Sequence, residues 1–323
     1  MIFPRFLRSK AIGIIAVLLI GAGTMYAQQR PVRTVAVTID DLPVVSTRRD
    51  LESRQNITRK LLSHITKAKI PAIGFVNENK LYAGDKRDDV QVALLRMWTA
   101  AGLELGNHTF SHRSLNAIPL ADYQADLLKG EAITKELLAE RGKKIRFFRH
   151  PFLQTGRTMD AKAGFDAFLS QNGYTIAPIT FDNADYIFSR AYDIAFDRGD
   201  KKLMKEVGNA YVPYMERKLD YWERQSVKLL GREMSQTLLI HANFINSDYL
   251  DDLARMFKRR GYRFVQLESA LQDDAYRLPD TYTGPAGISW LHRWAREKGR
   301  DFILPEEPTV PEFVLKLSGF ESE

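Results

Sequence analysis

Residues 34–41 read TVAVTIDD, six strand-forming residues that run into two adjacent aspartates, Asp40 and Asp41. Thr, Val and Ile favour extended backbone because their branched side chains pack well on a pleated surface. The residues just past the strand decide the fold. A strand that opens a dinucleotide-binding sheet runs into a glycine-rich phosphate turn, whereas this one runs into DDLP. Outward from it, AIGFVNE, LELGNH, IRFFRH, TIAPITF, TLLIHAN and RFVQLES read as further strands. Between them, segments such as 52–68, 89–102, 121–142, 160–173 and 247–261 space their apolar residues as helices do, with Gly142, Gly173 and Gly261 placed as natural C-caps. Strands alternating with helices imply parallel pairing, and seven such units suit an α/β fold of the distorted (β/α)7-8 barrel kind.

Two segments break the rhythm. Residues 187–235 make a long helical insertion before the last strands, rich in aromatics (Tyr211, Tyr214, Tyr221, Trp222) that either pack the segment onto the barrel or stack on a ligand. From residue 278 the chain is punctuated by Pro and Gly, with one helix around WLHRWAREKG whose apolar stripe suits docking on the barrel. The expected organisation is a leader at 1–27, a barrel over 31–277 that contains the insertion, and a C-terminal extension, 278–323, packing on it.

The leader is read from MIFPRFLRSK, with Arg5, Arg8 and Lys10, then the uncharged run AIGIIAVLLIGAG, then small Ala27 as a cleavage point. That layout predicts a signal peptide and a secreted or periplasmic protein, with membrane contact only if the leader stays uncleaved. The chain has no cysteine, which removes disulfides and thiol chemistry and leaves His, Asp and Glu as metal ligands. Its net charge is +7, three units of which lie in the leader, and the remaining basic residues form no run that would point to nucleic acid.

Reactive side chains fall at strand ends: Asp40 and Asp41 at the first, His108 at the third, Arg149 at the fourth, Asp182 at the fifth and His241 at the sixth. Barrel enzymes build their sites at those ends, so these residues converge on one mouth. Pro43 predicts that the first strand stops near Ile39 and turns, which lets both acids reach the mouth. GNHTFSH places His108 and His112 four apart, and a helical turn there puts both rings on one face. With Asp41 the set becomes His2Asp, three protein ligands with an open position, as in catalytic zinc sites. Taken singly, each feature also has an ordinary explanation: turn aspartates, surface or core histidines, a structural arginine.

Together, the residues resemble the polysaccharide deacetylases of the NodB-homology type, carbohydrate esterase family 4. TIDD is similar to that family's T-F-D-D motif and NHTFSH to its H-[ST]-x-x-H. FRHPF is similar to R-x-P-[YF], DNADY to D-x-x-D-W and LLIH to the closing leucine–histidine motif. The resemblance spans residues 34–271 and departs at Ile39, Leu42, His150 and Tyr186. It implies a metal-dependent hydrolase that removes acetyl groups from a carbohydrate, a cell-wall or extracellular polysaccharide. One divalent ion would sit on Asp41, His108 and His112, usually zinc, with cobalt or nickel also suited to the donor set. Asp40 would be the base, Arg149 its partner and His241 the acid. Asp182 would support either His241 or Arg149, Phe152 would offer its N–H to the oxyanion, and Leu239 and Tyr186 would line the acetyl pocket. A C–N hydrolase acting on a small amide or polyamine and a metal-holding carbohydrate-binding protein are the alternatives.

Overall fold

The computed structural model describes residues 1–2 and 33–323; the apolar run of the leader and Ala27 lie outside the described residues. The strands are β1 (Arg33–Leu42), β2 (Ile73–Val76), a hairpin of β3 (Tyr82–Ala83) and β4 (Lys86–Arg87), β5 (Glu104–Asn107), β6 (Phe147–Phe148), β7 (Thr175–Ile176), β8 (Gln236–His241) and β9 (Tyr262–Phe264). The main sheet runs β7-β6-β5-β2-β1-β8 with every pair parallel, and β9 joins the start of β1. A parallel bridge between Phe181 and Leu238 brings the segment after β7 against β8, which curls the sheet into a distorted barrel. Each of the seven expected strand segments takes part.

The helices are α1 (Leu51–Ala68), α2 (Asp89–Ala100), α3 (Leu120–Lys129), α4 (Ala132–Ala139), α5 (Met159–Gln171), α6 (Asp185–Asp197), α7 (Lys201–Leu230), α8 (Phe244–Arg259), α9 (Leu267–Ala270), α10 (Trp290–Lys298) and α11 (Glu312–Ser318). Because β1 is central and parallel, both its faces are buried. Val35, Val37 and Ile39 join the large apolar cluster shared with the helices, whereas Ala36 packs inside the barrel with Ile73, Phe75, Phe147 and Ala177. Period-two alternation puts Thr38 and Asp40 on that inner face. In the same register Asp40 lies opposite His241 of β8.

Contrary to the expectation from Pro43, β1 does not stop at Ile39. It continues to Leu42 through a break in register between Ile39 and Leu42, with Asp41 in the left-handed region (φ 68°). A bulge of this kind re-aims a side chain, so two consecutive aspartates both face the mouth.

The insertion forms α6 and α7, and Tyr211, Tyr214, Tyr221 and Trp222 are all buried, as packing residues are. Trp222 donates from Nε1 to the Asp182 carbonyl (2.8 Å), and Tyr214 Oη accepts from the Ala184 N–H (3.0 Å), so α7 supports the loop after β7. The C-terminal extension docks as well. Trp290, Leu291 and Trp294 of α10 are buried, the Trp290 N–H donates to the Ile179 carbonyl (2.8 Å), and buried Arg293 reaches Thr155 and Asp280 (both 3.0 Å).

Candidate active site

The strand ends open on a cleft of about 630 Å³, within the size range of small-molecule sites. It is lined by Asp40, Asp41, His108, His112, Phe152, Asp182, Tyr186, Leu239 and His241, together with Lys218 of α7 and Gly287, Glu307 and Glu323 of the extension. Arg149 lies beneath it, fully buried.

Asp41, His108 and His112 form one group, with donor atoms all within 4.8 Å of one another. Asp41 Oδ1 lies 3.5 Å from His112 Nε2 and 3.9 Å from His108 Nε2. His108 Nδ1 is 2.8 Å from the Arg149 carbonyl. A carbonyl only accepts, so Nδ1 carries the proton and Nε2 keeps its lone pair toward Asp41. Asp41 Oδ1 is buried with no hydrogen-bond partner, a costly arrangement that a cation among these three donors relieves. Burial pushes the Asp41 carboxyl up, but Lys80 and the histidines outweigh it and hold the group well below the usual carboxylate range.

The two histidines do not share a helical turn. Thr109 (φ 63°) and His112 (φ 54°) are left-handed, and the loop folds on itself through side chains. Asn107 Oδ1 accepts from the Thr109 N–H (2.7 Å) and Thr109 Oγ1 from the His112 N–H (3.0 Å), which leaves the rings 4.8 Å apart. Gly130, between α3 and α4, lies directly against this loop. A Cβ there would stand 2.4 Å from the Phe110 nitrogen and 2.5 Å from the Thr109 carbonyl carbon. Alanine suits helices better than glycine, so any harm from Gly130→Ala must come through that contact. We expect the variant to bind zinc about 10- to 100-fold more weakly in a chelator competition. An unchanged affinity would mean that the loop gives way without moving its histidines.

Asp40 belongs to a different set of contacts. Arg149 Nη1 donates to Asp40 Oδ2 (3.2 Å), Nη2 to Thr38 Oγ1 (2.9 Å) and Nε to the Ala177 carbonyl (2.8 Å), with the guanidinium over Phe75. Burial pushes the Asp40 carboxyl up to about 6, against the pull of Arg149. Neighbouring carboxylates are thus driven apart, as happens where two acids do different work.

His241 donates from Nδ1 to Asp185 Oδ1 (2.7 Å). Burial opposes its protonation, yet Asp185 holds it up to about 9. Asp185 is itself pinned: Oδ2 accepts from the His241 N–H (2.8 Å), Asn243 Nδ2 (3.1 Å) and Asn246 Nδ2 (2.6 Å). The support expected of Asp182 therefore comes from Asp185, three residues on and also within DNADY. Asp182 hydrogen-bonds neither His241 nor Arg149. It lines the cleft, accepts from the Asn183 N–H (2.9 Å), and is pushed up to about 6 by burial. Being the first residue of α6, Asp185 turns back toward β8, which strand-end reasoning does not reveal.

Phe152 is left-handed (φ 56°), more than half exposed, and edge-on to His112 at 4.5 Å between centroids. Gly287 of the extension packs on its carbonyl so closely that a Cβ would fall 1.7 Å from the oxygen. Exposed Tyr186 is edge-on to His241 (6.5 Å), and Leu239 lines the same wall.

The sequence model of the family described as polysaccharide deacetylase matches residues 27–168, which hold Asp40, Asp41, His108, His112 and Arg149. Over those residues the chain is similar to the polysaccharide deacetylase family. It is 26% identical over 257 residues to a chitin deacetylase from Colletotrichum lindemuthianum, covering 78% of this chain and 84% of that one. Among solved structures it is similar to a peptidoglycan deacetylase from Bacillus subtilis, at 20% identity and a TM-score of 0.46 over 75% of this chain and 93% of that one. It is also similar to a carbohydrate esterase family 4 pseudoenzyme from Bacillus anthracis, at 14% identity and a TM-score of 0.47 over 75% and 66%.

Proposed function

We propose that the chain removes acetyl groups, N- or O-linked, from a carbohydrate, and that it requires one divalent ion, zinc by its donor set. The observation that carries this reading is Asp41 Oδ1, buried, without a hydrogen-bond partner and facing two imidazole nitrogens, beside a second carboxylate committed to Arg149. When bound, the ion supplies Lewis-acid polarisation of the acetyl carbonyl and makes water more acidic.

The chain's own groups do the rest. Asp40 Oδ2 lies 3.7 Å from His108 Nε2, next to the donors, and takes a proton from the attacking water. Arg149 keeps Asp40 ionised and aimed. The Phe152 N–H is assigned to the developing oxyanion. His241 has Nδ1 occupied by Asp185, so its Nε2 proton is the one given to the leaving nitrogen or oxygen. Leu239 and Tyr186 take the acetyl methyl. A sugar is favoured by Phe152 and Tyr186, exposed aromatics at the cleft that suit stacking on a ring face.

One observation favours the alternative of a small cationic amide: Asp182, Glu307 and Glu323 outnumber Lys218 where these four line the cleft. Acetate release from acetylated chito-oligosaccharides and from N-acetylated diamines separates the two. After prolonged chelation we expect at least about a 100-fold loss on the oligosaccharides, restored by one zinc per chain. Two tightly bound ions per chain would end the single-ion reading, and release from the diamines alone would move the substrate to the amide class.

A further inference from the structure

Lys80 stands beside the ligand set without belonging to any of the five motifs. It sits on the turn Glu78–Leu81 that comes after β2, and that turn is fixed from three directions. Asn77 Nδ2 donates to the His108 carbonyl (2.6 Å), and the Asn79 N–H to the Phe110 carbonyl (3.0 Å). The buried Glu78 carboxylate accepts from the Ile133 and Thr134 N–H groups at the start of α4 (3.2 and 2.6 Å). From this base Lys80 Nζ donates to the Asp41 carbonyl (2.9 Å) and lies 3.7 Å from Asp41 Oδ1, its one ion pair among the described residues.

We infer that Lys80 is the counter-cation of Asp41 in the ion-free chain and that it lowers the affinity of the site for its ion. The inference rests on the proposed single-ion site. Adjacent carboxylates repel, and each needs a cation to stay ionised. Arg149 serves Asp40, 3.2 Å away, and Lys80 serves Asp41, so the pair is balanced before any ion arrives. Once an ion shares Asp41, the ammonium becomes a like charge a few ångströms off. In a partly buried site that repulsion is weakly screened. The same group also holds the carbonyl of a left-handed residue, so it shapes the ligand loop as well as its charge.

The test measures zinc affinity by chelator competition, and melting temperature with and without zinc, for Lys80→Met, Lys80→Gln and Lys80→Arg. Both neutral variants are expected to bind zinc about tenfold more tightly or better, a modest part of the repulsion between such neighbours. Their ion-free forms are expected to melt lower, with the loss largely recovered on loading, whereas Lys80→Arg keeps the wild-type affinity. Gln retains a donor, so tightening in both neutral variants isolates the charge from the hydrogen bond. Unchanged or weaker zinc binding in both overturns the inference while leaving the metal reading intact. A wild-type chain that binds no divalent ion overturns both.

Discussion

Asp40→Asn is expected to keep its zinc and lose about two to four orders of magnitude in kcat, the usual contribution of a general base. The two aspartates differ in their surroundings. Asp40 commits its carboxylate to Arg149, 3.2 Å away, whereas Asp41 Oδ1 faces the histidines with no hydrogen-bond partner. Asp41→Asn should therefore do the reverse, weakening zinc binding and regaining part of its activity when zinc is added in excess. Metal content by mass spectrometry and kcat at saturating zinc distinguish the pair. If Asp40→Asn loses the ion while Asp41→Asn holds it and turns over, the roles are exchanged. If neither variant changes, the aspartates form only a turn.

The second large effect concerns the acid. As the proposed proton donor His241 has to be protonated, and Asp185 holds its pKa up to about 9, so activity should fall as pH rises through that value. Removing the charge in Asp185→Asn should bring the alkaline limb down by about 1 to 3 pH units, the range for losing one close opposite charge. His241→Ala should abolish that limb and lose about 100-fold or more on amides, but much less on activated esters, whose leaving groups need no proton. The same pair bears on stability. The folded pKa of His241 exceeds its ordinary value near 6.5, so the stabilisation is complete below that pH and is lost as pH rises through about 9. An alkaline limb that stays in place in Asp185→Asn would assign it to another group.

The barrel was readable because strands rich in β-branched and aromatic residues alternate with helical spacing, and those signals are local. The convergence of Asp40, Asp41, His108, Arg149 and His241 was readable for a related reason: parallel strands end on the same side. The particulars of the site come from interactions that periodicity does not record. The turn from His108 to His112 is set by Asn107 and Thr109 side chains bonding to backbone, not by a helix. Asp185 rather than Asp182 meets His241 because α6 starts there and turns back over β8. Lys80 reaches Asp41 from a turn held by Asn77 and Glu78, all three outside the motifs. The aromatics of α7, ambiguous in sequence, are buried because the helix packs against both α6 and α8.

Asp40 and His241 are partners in the β1–β8 ladder, where two neighbouring strands of the curled sheet meet in parallel register. The proposed proton acceptor and proton donor are therefore carried by two adjacent hydrogen-bonded backbones, about 4.8 Å apart in any sheet. A slip of one residue would turn one of the two side chains out of the barrel altogether. On the proposed roles, adaptation to a new substrate has to leave these two strand positions in register. Tyr186 and the extension residues Glu307 and Glu323 line the cleft from outside that ladder and can change without disturbing its register.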